Sequence, residues 1–253
     1  MKLVPASEFS LAELAELFTA GYEGYFVPVS VDEPALAFMV EAWDIDLDRS
    51  RVAVVDDGPV GVANLGVRGD RGWIGGLGVR AAARRSGVGR TLMEAVLADA
   101  PPVVTLEVIE QNEPAIALYR SLGFEQTRFL EVWALTEPAP PLDGVTEADP
   151  SPLGQDGLPW QRQDRSLPDG FERLETDGGS AVVRVAGARV SVLQLEADGE
   201  EPARRLLAAA RSRSESLHYV NVPQGDPASA ALAALGGTLE LRQFELLRTS
   251  ALR

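Results

Sequence analysis

Residues 77–93 constrain the fold of this chain more than any other stretch. A predicted strand, Leu77-Gly78-Val79, leads into the loop Arg84-Arg85-Ser86-Gly87-Val88-Gly89 and then into a helix. A glycine-spaced loop that opens a helix exposes backbone N–H groups at the positive end of the helix dipole, which favours a bound anion such as phosphate. The stretch therefore predicts an α/β protein with an anion site at this loop, although glycine-spaced loops are common and need support from other residues.

Arginine is concentrated at the same loop, in a chain that is otherwise acidic. The 253 residues carry a net charge of −15, and only Lys2 among the 23 basic residues is a lysine. Arg80, Arg84, Arg85 and Arg90 lie within eleven positions. Such a cluster is typical of a solvated helix face or of a phosphate site, and the sequence alone leaves both open.

Two motifs resemble those of one enzyme family. The first, Val79-x4-Arg84-x2-Gly87-x-Gly89-x2-Leu92, is similar to the acyl-CoA-binding motif of the GCN5-related N-acetyltransferases (GNAT). The second, which is similar to the other signature of that family, reads Asn112-Glu113-Pro114-Ala115-Ile116-Ala117-Leu118-Tyr119-Arg120-Ser121-Leu122-Gly123-Phe124. Their order and separation match the family, and the order of predicted elements extends the resemblance to residues 1–136.

Hydrophobic periodicity predicts alternating helices and strands. The predicted helices cover residues 8–19, 32–43, 87–97 and 114–122, and the predicted strands cover residues 51–55, 60–67, 73–79, 103–108 and 127–135. The pair Gly75-Gly76 inside a strand predicts a bulge. The expected class is α/β (α+β by some schemes), and the resemblance implies the GNAT fold, a mixed central sheet with splayed parallel strands flanked by helices.

The resemblance implies acetyl-CoA as cosubstrate and no metal ion. In this family the pantothenate arm lies like an added strand between two splayed parallel strands, which here would end near Val79 and Val108. The N–H near Leu77 would polarise the thioester carbonyl. The residues implied for cofactor binding are Leu77, Gly78, Val79, Arg84, Arg85, Gly87, Val88, Gly89, Arg90, Thr91, Asn112, Ala115 and Tyr119.

Two catalytic residues are also implied. Tyr119 matches the position that protonates the departing thiolate in many relatives, although a tyrosine that only packs on a strand would look the same in the sequence. Many members of the family carry a glutamate base near position 73, where this chain has Trp73. Glu107, twelve residues before Tyr119, is similar to the glutamate of the glutamate–tyrosine pair in the ribosomal-protein alanine acetyltransferase branch, and the resemblance makes it the candidate base. A Glu107 carboxylate that only faces solvent agrees equally well with the sequence. Other candidates for the base are Glu23, Asp70 and a chain of water molecules.

The resemblance implies that the loop between the first two helices walls the acceptor site, as it does in this family. Tyr22, Glu23, Tyr25 and Phe26 lie there beside glycines, and Trp73 completes the predicted substrate-binding set. The acidic surroundings would suit a cationic amine. The predicted activity is acetyl transfer to a primary amine, of a small molecule or a peptide N-terminus, by direct attack in a ternary complex. A non-catalytic acyl-CoA sensor or scaffold is the alternative.

The second half of the chain resembles a partial copy of the first. Predicted elements repeat the order βββαβαβ, and residues 226–236 align with residues 113–123 at a constant offset. The copy has Leu232 at the position of Tyr119 and the acidic run Glu196–Pro202 in place of the arginine-glycine loop. The predicted domains are a catalytic unit (1–136), a proline-rich linker (137–154) and a smaller, degenerate, non-catalytic GNAT-like unit (155–253).

Composition excludes several other classes. There is no cysteine, so a disulfide or a cysteine nucleophile is ruled out, and the single His218 leaves no histidine pair for a metal. The acidic balance argues against a nucleic-acid partner. No long apolar run or signal peptide is evident, so a cytoplasmic protein without a membrane partner is expected, and a homodimer is compatible with the sequence.

Overall fold

The computed structural model describes residues 1–56 and 58–250. Contacts between residues divide the chain into two compact units. The first unit contains residues 1–127 together with those from 245 onward, and the second contains residues 128–244. The predicted boundaries at 136 and 155 do not coincide with this division, because two strands each contain residues of both units.

The first unit alternates strands and helices as predicted. Its elements are β1 (Lys2–Pro5), α1 (Leu11–Gly21), α2 (Glu33–Ala42), β2 (Arg51–Val55), β3 (Gly58–Arg68), β4 (Arg71–Val79), α3 (Val88–Ala98), β5 (Val103–Ile109), α4 (Glu113–Ser121) and the start of β6 (Glu125–Leu135). Strands β1 to β5 neighbour one another in chain order. All of these pairs are antiparallel except β4 and β5, which run parallel. Strand β1 was not predicted from the sequence.

Local sequence explains where the first helices begin. Ser10 and Glu13 form a capping box: the Glu13 N–H donates to Ser10 Oγ (3.3 Å) and the Ser10 N–H donates to Glu13 Oε2 (2.8 Å). Asp32 caps α2 by accepting the Ala35 N–H at 2.9 Å. Helix α1 then buries Leu17 and Phe18 in a cluster that includes residues of α2, β1, β2 and β3.

Strand β4 carries the irregularity that opens the sheet. Its pairing with β3 shifts register between Ile74 and Gly76, so Gly75 is the extra residue of a bulge, which confirms the prediction. The parallel ladder between β4 and β5 covers only residues 71–73 and 103–105. Beyond Trp73 and Thr105 the two strands no longer pair, which is the splay that the resemblance implied.

Two glycines bring α1 directly onto β4 near the splay. A Cβ atom on Gly21 would lie 2.7 Å from the Gly78 Cα atom, closer than side-chain carbons approach a backbone. The end of α1 therefore rests on the β4 backbone, and the segment after α1 starts beside the open end of the strand.

The second unit repeats the order of elements. It contains the rest of β6, then β7 (Thr146–Ala148), β8 (Glu172–Thr176), β9 (Gly179–Ala186), β10 (Arg189–Ala197), α5 (Glu200–Arg211), β11 (Ser216–Pro223), α6 (Pro227–Ala234) and most of β12 (Thr238–Thr249). Its strand order is β6-β11-β10-β9-β8-β7. Residues 172–249 confirm the predicted βββαβαβ repeat. Strand β7 lies inside the predicted linker 137–154, because residues 146–148 pair with β8 despite the prolines around them.

The last strand of each repeat is exchanged. The strand after α4, β6, pairs through most of its length with β11 of the second unit. The strand after α6, β12, is the neighbour of β5, and its residues from 245 onward belong to the first unit. Within the first unit the Arg248 Nε–H donates to the Leu122 carbonyl (3.0 Å) and the Ser250 N–H donates to the Pro102 carbonyl (2.8 Å). The first unit therefore contains chain from both ends of the sequence.

No helix within the described ranges is long and apolar enough to cross a membrane.

Candidate active site

A cavity of about 460 Å³ lies at the open end of the splay in the first unit. It is bordered by the end of β4, the loop before α3, the start of α4 and the segment after α1. The lining residues are Gly21, Tyr22, Gly24, Tyr25, Phe26, Leu77, Val79, Arg84, Arg85, Gly89, Asn112, Pro114, Ala115 and Leu118. The structure thus brings most of the predicted cofactor-binding and substrate-binding residues together. Gly21, Gly24, Pro114 and Leu118 were not predicted, although Pro114 and Leu118 belong to the second motif.

Helix α3 begins at this cavity without a side-chain cap. Its N-cap residue Gly87 has a φ of 91°, and no side chain of the described residues accepts from its first N–H groups. Gly89 lines the cavity, where a Cβ atom would lie 3.8 Å from the Leu77 side chain. Arg85 also lines it and has a left-handed φ of 61°, which is uncommon for a residue with a side chain. Free N–H groups and one guanidinium therefore converge where an anion was predicted.

The Arg84 side chain is placed differently from the prediction. Its Nε–H donates to the Val79 carbonyl (2.9 Å), and its Nη2 donates to the carbonyls of Gly21 (3.1 Å) and Glu23 (2.6 Å). The guanidinium thus donates to three backbone carbonyls. It binds the segment after α1, where the prediction had it bind a phosphate.

Six predicted cofactor residues do not line the cavity: Gly78, Gly87, Val88, Arg90, Thr91 and Tyr119. The Arg90 side chain, predicted to supply charge beside the phosphates, lies along the helices, since its Nη2 donates to Ser121 Oγ (2.7 Å) and its Nη1 lies 3.5 Å from Glu94 Oε1. Thr91 Oγ1 donates to the Gly87 carbonyl at 3.2 Å. Gly78 packs against Gly21, and Val88 is buried.

Three tyrosines, Tyr22, Tyr25 and Tyr119, lie close together near Leu77. The Tyr22 hydroxyl lies near the backbone N–H of Leu77, the group predicted to polarise a thioester carbonyl, and the Tyr25 hydroxyl lies near the Asn112 side chain. Asn112 Oδ1 caps α4 by accepting the Ala115 N–H at 3.3 Å. Tyr22 and Tyr25 contact edge to face, with ring centroids 5.0 Å apart. The segment after α1 therefore lies against both motifs.

Tyr119 lies one helical turn after Ala115, on the face of α4 that borders the cavity. It is buried and packs edge to face on Phe124, with ring centroids 6.0 Å apart. Burial raises the pKa of Tyr119 above its ordinary value, and the nearby Tyr22 and Tyr25 raise it further. The hydroxyl therefore keeps its proton throughout the physiological range, as a proton donor must.

Glu107 and Trp73 form a pair at the start of the splay. The register of the parallel ladder places Glu107 level with Gly75, two residues before Leu77. The Trp73 Nε1–H donates to Glu107 Oε2 at 2.7 Å, and the buried Trp73 ring packs edge to face on Trp43 at 5.6 Å. Trp73, predicted as a substrate-binding residue, holds the candidate base in place. Asp70, an alternative base, is exposed in the turn at the other end of β4.

A second, more open cavity of about 930 Å³ lies on the outer side of the segment after α1. It is lined by residues from α1 and from the loop before α2, including Glu16, Tyr22, Glu23, Tyr25 and Phe26. Phe26 is 53% exposed, so an apolar ring stands in solvent beside two carboxylates. The predicted acceptor residues therefore lie together, apart from Trp73.

The second unit has a splay of its own, and the chain itself fills it. The ladder between β10 and β11 ends at Val192 and Tyr219, just before a bulge in β10. The Arg162 guanidinium, which is buried, donates to the Leu193 carbonyl (3.2 Å), to the Asn221 carbonyl (2.8 Å) and to the Tyr219 hydroxyl. It thus bridges both strands beyond the point where they stop pairing.

The start of α5 differs from that of α3 in charge. Glu200 and Glu201 occupy the first turn, where α3 has glycine and arginine. Hydrogen bonds from Arg204 and Arg205 lower the pKa of Glu201, and the carboxylate pairs with both guanidinium groups (2.7 and 3.0 Å). Leu232, at the position of Tyr119, is buried in the core of the second unit.

Part of the chain, including both motifs, is similar to a known family. Residues 11–124 match the model of the acetyltransferase (GNAT) family. Over 60 residues the chain is 45% identical to the peptidyl-lysine N-acetyltransferase YjaB of Escherichia coli (strain K12). That match covers 24% of this chain and 40% of the relative.

Solved structures share the fold over nearly the whole chain. The GCN5-related N-acetyltransferase from Sphaerobacter thermophilus matches with a TM-score of 0.71 at 16% identity, over 98% of this chain and 95% of that one. A tandem GNAT protein from the clavulanic acid biosynthesis pathway matches with a TM-score of 0.67 at 16% identity, over 100% of this chain and 99% of that one. These likenesses confirm the predicted fold class and the tandem arrangement.

Proposed function

We propose that this chain, whose residues 11–124 form a domain of the acetyltransferase (GNAT) family, transfers an acetyl group from acetyl-CoA to a primary amine. The observation that carries the proposal is the cavity at the splay of β4 and β5, which the uncapped start of α3 borders. An extended arm can add to the free strand edges, and a pyrophosphate can accept from the first N–H groups of α3.

The residues present fit acetyl-CoA. Beyond residue 73 the β4 edge that faces β5 has no strand partner, and Leu77 and Val79 lie along it. Glycine at positions 87 and 89 lets a ligand approach the backbone, and Arg85 supplies positive charge beside it. When bound, acetyl-CoA would supply the activated acetyl thioester.

Three groups of the chain would then act on the transfer. Glu107 takes a proton from the acceptor ammonium, so that the amine lone pair can attack the thioester carbon. The Leu77 N–H and the Tyr22 hydroxyl stand where the carbonyl oxygen gains charge. As the carbon–sulfur bond breaks, Tyr119 would give its proton to the thiolate and would recover one from the former amine nitrogen, which loses its second proton on becoming an amide. The products would be an N-acetyl amide and coenzyme A thiol.

The acceptor is proposed to be a cationic amine. The outer cavity combines the Glu23 carboxylate with the exposed ring of Phe26, whereas the Glu16 carboxylate, which also lines it, is ion-paired with Arg80 at 3.2 Å. Carboxylates attract an ammonium group and aromatic faces bind it. The lysine side chain named for the E. coli relative and a free peptide N-terminus both meet this description.

Release of coenzyme A thiol, detected with a thiol-reactive dye, tests the proposal. The panel contains a peptide with a free N-terminus and no lysine, a peptide with a blocked N-terminus and one lysine, and a small polyamine. We expect amine-dependent thiol release with at least one of them. Acetyl-CoA binding without thiol release from any member would instead favour the acyl-CoA sensor.

We predict that Glu107→Gln lowers kcat roughly 10²-fold at pH 7, because the acceptor ammonium loses its proton acceptor. The KM for acetyl-CoA should stay unchanged. Raising the pH should partly restore the rate, since an amine with a pKa near 10.4 becomes tenfold more deprotonated with each unit. Kinetics from pH 7 to 9 measure this, and a loss that is constant over that range would assign the base to another group, with Glu23 the next candidate.

The second unit is proposed to be non-catalytic and to bind no acetyl-CoA. Arg162 occupies the splay between β10 and β11, the start of α5 is acidic, and Leu232 replaces the tyrosine. We predict a stoichiometry of one acetyl-CoA per chain in calorimetry. Gly89→Leu, which places a side chain in the cavity of the first unit, should abolish all binding. Residual binding in that variant would contradict the assignment.

A further inference from the structure

Arg84 links the cofactor loop to the acceptor loop. Its guanidinium spans from Val79, the last residue of β4, to the carbonyls of Gly21 and Glu23 after α1. Tyr22 lies between those two carbonyls, and its hydroxyl lies near the Leu77 backbone at the cavity that both residues line. One side chain therefore fixes the backbone on both sides of Tyr22.

Resting on the proposed function, we infer that Arg84 is a positioning residue for the acceptor side, and that it acts through the segment Gly21–Tyr25 rather than on the phosphates. A guanidinium offers five N–H donors in one plane, which suits it to join three carbonyls from two segments. The bonds hold the Tyr22 and Tyr25 rings over the cavity that Arg84 itself borders. The adjacent Arg85 lines the same cavity and has no protein partner among the described residues, so it is the side chain that meets the pyrophosphate.

The neighbouring arginines give a matched pair of variants. Arg84→Met keeps the length of the side chain and removes its donors, whereas Arg85→Ala removes only the charge at the cavity. Hydrogen exchange of the free protein measures how firmly the segment Gly21–Tyr25 is held. The informative amides are those of Tyr22, Glu23 and Tyr25, which donate to the carbonyls of Thr19, Ala20 and Tyr22, respectively. Calorimetry measures the Kd of the cavity for acetyl-CoA.

We expect Arg84→Met to speed exchange of those amides about tenfold or more while changing the Kd for acetyl-CoA by less than about threefold. Arg85→Ala should leave the exchange unchanged and raise that Kd about tenfold, for one lost charge-assisted bond. With any amine that the panel identifies, Arg84→Met should raise the KM of the amine and not that of acetyl-CoA. In Arg84→Lys, which keeps one cationic donor, the same amides should exchange more slowly than in Arg84→Met and faster than in the wild type.

Two results would overturn the inference. One is an Arg84→Met variant that raises the Kd for acetyl-CoA as Arg85→Ala does, with the exchange unchanged. The other is faster exchange spread evenly over the first unit in both Arg84 variants, which would mean a general loss of stability. Hydrogen exchange is measured without any substrate. If the panel finds no acceptor, that result counts against the proposed activity, and the role of Arg84 in holding the segment after α1 is then judged from hydrogen exchange alone.

Discussion

Tyr119→Phe is expected to lower kcat by about 10²–10⁴-fold, the usual loss for a general acid, with acetyl-CoA still binding. The substitution removes one oxygen atom from a buried ring and keeps its edge-to-face contact with Phe124. Because burial raises the pKa of Tyr119, its proton is present across the working range, and its ionisation should not set the upper pH limit of the wild-type enzyme.

Thiol release at saturating substrates measures the effect, and calorimetry checks that the affinity for acetyl-CoA is retained. Tyr25→Phe is the matched control, since it removes a neighbouring hydroxyl that lies near Asn112 rather than one placed to meet the thiolate. We expect a much smaller loss of kcat there. Full turnover in Tyr119→Phe would leave Tyr119 as a packing residue, the alternative that the sequence left open.

The sequence specified the elements that build the cofactor side. The glycine pair at 75 and 76 predicted the bulge, and the bulge coincides with the point where β4 stops pairing with β5. The helix predicted over residues 114–122 is α4, and Gly123 follows it with a φ of 85°, the left-handed value that commonly ends a helix. These features depend on residues close together in the chain, which is why local patterns predicted them.

Partners of long side chains could not be predicted in the same way. Arg84 lies in a loop whose composition favours phosphate, yet its acceptors are carbonyls about sixty positions earlier, and backbone carbonyls leave no mark in the sequence. The same holds for Arg162, whose acceptors are carbonyls of β10 and β11. A buried arginine is uncommon, and the proline-rich segment before it indicated a linker rather than part of a core.

The sequence also did not predict that the last strands of the two repeats, β6 and β12, are exchanged between the units. The repeat predicted that each unit would end with its own last strand, and periodicity does not say which neighbour a strand pairs with. The structure gives residues from 245 onward to the first unit, where Thr127 Oγ1 donates to the Glu245 carbonyl at 3.0 Å. A chain that ends at 136 or 137 therefore lacks the neighbour of β5.

We predict that truncation after Glu137 prevents the first unit from folding stably. Without β12, one edge of β5 loses its strand neighbour, and the bonds to Leu122 and Pro102 are lost with it. An unpaired, partly apolar edge also invites aggregation. The soluble fraction, the thermal unfolding midpoint and acetyl-CoA binding of the truncated chain measure the effect, and all three should fall far below those of the full chain.

Leu246→Asp makes the same test within the full chain. Leu246 is fully buried in β12, whereas Thr249 on the same strand is exposed. Loss of a buried leucine costs about 2–5 kcal/mol, and a buried carboxylate adds several more, against a total stability of about 5–15 kcal/mol. We therefore expect Leu246→Asp to lose acetyl-CoA binding through unfolding, while Thr249→Asp unfolds and binds as the wild type does. A truncated chain that folds and binds acetyl-CoA normally, together with a harmless Leu246→Asp, would show that the first unit does not depend on β12.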